Sequence, residues 1–289
     1  MPDPRRALLL MAISSVCFAV MAFAAKLAAA DLSGSQVAFL RFAFMLAPLL
    51  VVPGAARKAI TWQRLDLLFY RGLFGGTAVL LYFLAIKHIP VGIATLLNYS
   101  APVYSVTFAA FFLGERVDRR LLVPLLGALC GVVLAAGGGG GLGDLRFGVW
   151  EAAGMASALL SGAAVTAIRA ARRTEGSWAI YGSFTLFGLL ATAPFGLRDF
   201  RAPTPKEWLL FTIVGLTSVT AQLLMTYAYR WVTNLQAGVL AQLTVVLSMM
   251  LGAIFLGDRL APLQIFGSLL ALAGVVGVVW VQATPRAVE

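Results

Sequence analysis

The sequence predicts an all-α integral membrane protein whose ten transmembrane helices form two inverted five-helix repeats. Three observations lead there. The 289 residues are 61% apolar and only 12% charged, with a mean hydropathy of +0.91, whereas soluble domains carry about 25% charged residues. Ten apolar runs are each long enough to cross the roughly 30 Å hydrocarbon core, which takes about 20 residues. Finally, the first half of the chain recurs in the second at a constant offset of 143 residues.

The runs lie at 7–29, 34–53, 67–88, 92–113, 120–137, 148–170, 178–197, 208–230, 234–256 and 262–282. They are bounded by charge clusters and by Gly or Pro breaks, and short connections leave no soluble domain to hold an enzyme site. The glycines 137–141, followed by Leu142-Gly143-Asp144, follow an apolar helix rather than a strand and lack a GK[ST] sequence. They read as a flexible hinge between repeats 1–140 and 144–284, not as a phosphate loop.

The echo aligns Phe112-Leu113-Gly114-Glu115-Arg116 with Phe255-Leu256-Gly257-Asp258-Arg259, and it brings Ala85 onto Ala228, Gly131 onto Gly274 and Gly72 onto Gly215. Across Tyr82 to Ala136, 16 of 55 positions are identical, against roughly 5 to 8 expected from so Ala-, Leu- and Gly-rich a composition. Five spans per copy place the copies upside down to each other, an arrangement that points to secondary transport. The echo also argues against a cleavable signal peptide after Arg5-Arg6, because the first span has a partner within the chain.

Charge sets the orientation. Fourteen basic residues fall on the side of the N-terminus and seven on the other, with Arg41 inside a span. Both termini are therefore expected in the cytoplasm, as in a multi-pass protein of a bacterial inner membrane. The net charge of +10 is spread in small groups between apolar runs, which excludes a nucleic-acid face. Cys17 and Cys130 lie apart in apolar helices, and the one histidine, His88, ends a span beside Lys87. No metal, cofactor or catalytic constellation is expected.

The two Phe-Leu-Gly-acid-Arg helix ends, each followed by a Gly-punctuated apolar helix, are similar to the drug/metabolite transporter superfamily, in its EamA-type ten-helix branch. Leu40-Arg41-Phe42 and Ala85-Ile86-Lys87-His88-Ile89-Pro90-Val91-Gly92-Ile93-Ala94 also resemble that family, and the likeness covers the whole chain. It implies alternating access without ATP hydrolysis, most often export of amino acids or other small metabolites, with some members working in uptake.

Polar groups at mid-depth in a membrane are costly and point to a cavity or a helix contact. Tyr82, Asn98 and Tyr99 supply them on the third and fourth spans. Gln222 lies on the eighth, and the offset pairs Tyr82 with Met225 and Tyr99 with Gln242. With Phe18 and Arg41 these are the candidate substrate-binding residues, suited to an amphipathic small molecule: amides or Arg41 for a carboxylate, rings for an apolar or cationic part. The bland reading makes Asn98, Gln222 and Gln242 interhelical glue and lets Arg41 snorkel to the surface. Pro102 is expected to kink the fourth span, while Gly72, Gly75 and Gly76 form a packing face. Glu115 and Asp258, each beside an arginine at a helix end, are expected to form a local ion pair or a cap.

The leading expectation is a metabolite exporter, monomer or homodimer, whose partners are a small-molecule substrate and the lipid bilayer. The alternative is an uptake carrier for a vitamin-like or other small organic solute. An intramembrane enzyme would need His, Asp or Glu in mid-span, and a channel would need continuous polar stripes.

Overall fold

The computed structural model describes residues 4–113, 119–137, 147–198, 200–228 and 234–283. Every regular element among them is helical: α1 Pro4–Asp31, α2 Gly34–Phe44, α3 Ala47–Val51, α4 Ala55–Ile60, α5 Leu65–His88, α6 Val91–Tyr99 and α7 Ala101–Leu113 in the first half. Then come α8 Leu122–Gly137, α9 Val149–Ala171, α10 Ser177–Arg198, α11 Pro205–Ala228, α12 Asn234–Leu251 and α13 Pro262–Ala283. Glu115-Arg116 and glycines 138–141 lie outside the described residues.

Helices dominate because lipid offers no partner to backbone N–H and C=O groups, so each segment must satisfy its own. Nine helical stretches among the described residues are long and apolar enough to cross a membrane. Large apolar side chains such as Phe111, Val123 and Leu190 are exposed on the outside, while the interior is rich in alanine. Small residues inside and bulky ones outside is the pattern of helices that associate in lipid by close packing.

The run expected as one helix over 92–113 is instead two, α6 and α7, divided at Ser100. Pro102 has no N–H to give the Asn98 carbonyl, so the ladder is interrupted there. The Ser100 N–H turns back to the Leu96 and Leu97 carbonyls, and Val103 N bonds Ser100 O at 2.9 Å. In the second half α12 runs unbroken past Val245 and ends in one π-helical turn, Gly252–Leu256, closed by Gly257 at φ +68°. That left-handed cap explains the glycine of the Phe-Leu-Gly-Asp-Arg sequence, since only glycine adopts it without strain.

Contacts recur at the 143-residue offset. Ser14 Oγ donates to Ala221 O at 2.8 Å and Ser157 Oγ to Ala78 O at 2.7 Å. Gly131 faces the backbone of Ala271 and Gly274 that of Ala128; Gly267 faces Leu134 and Gly277 faces Pro124; Gly72 packs on Phe187 and Gly215 on Phe44. Helix neighbours follow suit: α1 packs on α11 as α9 does on α5, and α11 on α2 as α5 does on α10. Across the middle, α8 lies on α13, α2 on α10 and α6 on α12.

The helix ends are tied into two sets. At one, Lys26 Nζ donates to Ile89 O (2.8 Å) and Lys87 O (3.2 Å), Lys87 Nζ donates to Leu32 O (2.7 Å), and Gln36 Nε2 donates to Arg201 O (2.6 Å). Arg201 also pairs with Glu207, whose carboxylate closes a capping box with Thr204 at the start of α11. Asp258 joins this set: its carboxylate accepts from Val91 N at 3.1 Å, so of the two expected roles it acts as a cap, here of α6. At the other set, Glu175 accepts from Gln63 N (2.8 Å) and Arg64 N (2.5 Å) and closes the start of α5. His88 is exposed and stacks on Trp150 with centroids 3.6 Å apart.

Candidate functional site

The site is built where α2, α5 and α10 cross. On α5, Gly72 faces the Ser183 carbonyl and Phe187, and Gly76 faces the backbone of Gly188, so α10 approaches closely and sets Phe184 against two arginines. Arg71 Cζ lies 4.0 Å from the Phe184 ring centroid and Arg41 Cζ 5.8 Å from it. The two guanidinium carbons are thus within about 10 Å of each other. Arg41 also lies over Phe42 (5.3 Å) and Phe83 (5.9 Å), and its Nε donates to Ser218 Oγ of α11 at 3.0 Å.

Both arginines are deep. Arg41 is 4% exposed and Arg71 7%. Arg41 starts about 10 Å along α2 from Gly34, and Arg71 about 9 Å along α5 from Leu65 at the opposite helix end. Their long side chains therefore converge from opposite directions on the middle of the molecule, and Arg41 does not snorkel. Gly75, one turn beyond Arg71, leaves the space that its Nη1 occupies.

The pair is electrostatically incomplete. Arg41 Nη1 and Arg71 Nε have no hydrogen-bond partner among the described residues. Among the described residues neither arginine forms an ion pair. Two cations within about 10 Å of each other repel by at least about 2 kcal/mol at an effective dielectric of about 20. Ring faces offset part of the cost of burial, yet among the described residues no acidic side chain answers the charge.

The other expected site residues divide. Tyr82 is buried, and its hydroxyl lies 2.9 Å from Thr95 Oγ1, which donates onward to Val91 O at 2.7 Å; Tyr82 therefore donates to Thr95. Tyr99 and Phe18 pack half-buried on the core that holds Tyr82 and Phe83. Asn98 Nδ2 donates to Ser157 Oγ (2.6 Å) and Ser161 Oγ (3.2 Å), which commits its amide hydrogens to holding α6 on α9. Gln222 is buried one turn beyond Ser218. Gln242 is buried on α12 between two residues bound to Ser15 of α1, through Ser15 Oγ to Leu240 O (2.9 Å) and Thr244 Oγ1 to Ser15 O (3.2 Å). Met225 belongs to a separate cluster with Ala7, Met11 and Ala228. A cavity of about 610 Å³ opens elsewhere, at the Glu175 end of the molecule, lined by Arg57, Lys58, Gln63 and Trp178 among others.

Comparison with known proteins matches the EamA-like transporter family model twice, over residues 5–137 and 148–280. The chain belongs to the EamA-like transporter family. Both limits of the second EamA-like match fall 143 residues after those of the first, the offset of the internal echo. Among relatives, the pseudopaline exporter CntI of Pseudomonas aeruginosa is 31% identical over 226 residues, covering 76% of this chain and 77% of that protein. An uncharacterized transporter of Helicobacter pylori is 25% identical over 265 residues, 87% of each chain. A crystal structure with 22% identity and a TM-score of 0.62 covers 97% of this chain and 98% of that one, a likeness of fold. These relatives are transporters rather than enzymes, and an EamA-like protein with apolar spanning helices handles a small molecule within a bilayer.

Sequence reasoning missed Arg71, which it counted with the loop cations Arg57, Lys58 and Arg64. The signal was there: Arg71 stands four residues after the start of the apolar run 67–88 and four before Gly75. Arg64, which does sit at the surface, pairs with Asp66 at 2.7 Å.

Proposed function

We propose that this EamA-like protein is a secondary transporter that exports a small metabolite, an amino acid or related amphipathic solute, across the bacterial inner membrane by alternating access. Two five-helix repeats, 1–140 and 144–284, run in opposite senses with both termini cytoplasmic. The broken pair α6 and α7 acts as the fourth of ten spans, since its 23 residues reach about 34 Å if nearly collinear. The observation that carries this reading is the set of interhelical contacts recurring at 143 residues, because two like halves packed about a common middle can rock between equivalent inward and outward arrangements. The substrate would lie between the halves, near Arg41, Tyr82 and Tyr99 from the first and Gln222 from the second. Phe18, Asn98, Met225 and Gln242 belong to the surrounding walls.

Counterflow in proteoliposomes tests this. Vesicles loaded with an unlabelled solute should accumulate the same labelled solute, across a panel of amino acids, amines, carboxylates and vitamins, and cells lacking the protein should retain the active solute. Faster uptake by cells that express it, with no change in efflux, would make it an uptake carrier instead. No exchange of any solute would sink the transporter reading.

A further inference from the structure

We infer that Arg41 and Arg71 together form an anion site for a solute bearing two separated carboxylates. The inference deepens the proposed transport function and rests on it for its physiological role, but binding can be read independently. It starts from two buried cations within about 10 Å that share one aromatic shelf, Phe184, with Arg41 Nη1 and Arg71 Nε left without partners among the described residues. Removing a guanidinium from water is costly unless hydrogen bonds and an opposite charge replace its hydration. Among the described residues the packing supplies rings and one serine hydroxyl, Ser218, but no carboxylate.

Each guanidinium is a planar fork suited to a carboxylate. The two forks sit on different helices and enter from opposite ends of the molecule, so they address two anionic groups on one solute rather than one group shared. Phe42, Phe83 and Phe184 around Arg41 leave an apolar wall for a short carbon chain. Such a solute would also remove the like-charge repulsion between the arginines. Occupancy couples to rearrangement to the extent that the solute binds the arrangement that brings the two arginines together more tightly than the other.

The test uses the full-length purified protein. Binding of succinate, glutarate, butyrate, alanine, putrescine and inorganic phosphate is measured by thermal shift and calorimetry in detergent, and counterflow of the labelled compounds in proteoliposomes. A dicarboxylate should bind at least tenfold tighter than butyrate. Arg41→Gln and Arg71→Gln should each remove that tenfold preference, Arg41→Lys and Arg71→Lys should retain part of it, and Arg57→Gln, a surface charge, should leave it intact. The Lys variants, monodisperse by size exclusion, guard against misreading a folding defect as lost binding.

Dicarboxylate binding that depends on both arginines, without counterflow, would support the site and remove the transporter reading. Exchange of alanine or putrescine that persists in Arg71→Gln, with no dicarboxylate preference, would leave a transporter and overturn the site. Tighter binding of phosphate than of any dicarboxylate, or no binding by the whole panel, would also overturn it.

Discussion

Ser157 Oγ donates to the carbonyl of Ala78 across 2.7 Å and fastens α9 to α5. The bond from Ser14 to Ala221, 2.8 Å long, fastens α1 to α11 in the corresponding place. Both serines are essentially fully buried, so neither hydroxyl has an alternative partner in water, and each bond spans helices from different halves of the chain.

Ser14→Ala and Ser157→Ala should therefore destabilise the protein by similar amounts, about 0.6 to 1.7 kcal/mol each, the range for interhelical hydrogen bonds in membranes. Ser157→Ala should be the costlier, because Ser157 also accepts from Asn98 Nδ2 at 2.6 Å. Thermal unfolding in detergent reads both, and Asn98→Ala combined with Ser157→Ala should cost less than the two separate losses added, as expected for coupled neighbours. An additive result would show that the Asn98 contact carries no energy.

The α8–α13 interface predicts a second matched pair. A Cβ at Gly131 would press on the Ala271 backbone, and one at Gly274 on that of Ala128. Gly131→Ala and Gly274→Ala should each cost about 1 to 3 kcal/mol, the range for overpacking, and lower the yield of folded protein together. Gly127→Ala, on the same helix with its nearest neighbour 3.9 Å away, should be close to neutral, which separates overpacking from a general effect of changing glycine.

Much of this architecture could be read from residues alone, because membrane helices announce themselves by length and apolarity and a gene duplication by a fixed offset. Gly131 and Gly274, aligned by the echo, do meet corresponding backbones. Pro102 gave away the break in the fourth run, though not that the chain would divide into two separate helices at Ser100. The site was less legible. Arg41 was visible as a charge inside a span, but its partner Arg71 was hidden among loop cations, because a charge count cannot tell a residue at a helix end from one two turns in. Asn98, chosen for its polarity, spends its amide hydrogens on α9, which only three-dimensional packing decides.

Asp258 yields a prediction about helix capping. Its carboxylate accepts from Val91 N at the start of α6, and Gly252 leaves room for it. Asp258→Ala should cost about 0.5 to 2 kcal/mol, the usual loss of an N-terminal cap, whereas Asp258→Asn keeps an oxygen acceptor and should lose less than half of that. Arg259→Ala should be nearly silent in the same unfolding assay. If Arg259→Ala costs as much as Asp258→Ala, the adjacent ion pair and not the cap is the stabilising contact.

Pro102 separates the fourth run of the first half from its counterpart in the second. The equivalent position is Val245, and there α12 continues through Asn234–Leu251 without interruption. Pro102→Ala supplies an N–H that can reach the Asn98 carbonyl, four residues earlier, and lets α6 and α7 join as one helix. Proline in a helix interior costs about 3 kcal/mol, part of which the break at Ser100 already relieves, so the variant should be more stable by about 1 kcal/mol. Joining the half-helices also removes a place where the first repeat can bend independently of the second. Counterflow should slow several-fold while solute binding stays within about twofold, because the change stiffens the moving part without touching Arg41 or Arg71. A variant that gains stability and exchanges at the wild-type rate would mean that the break serves packing alone.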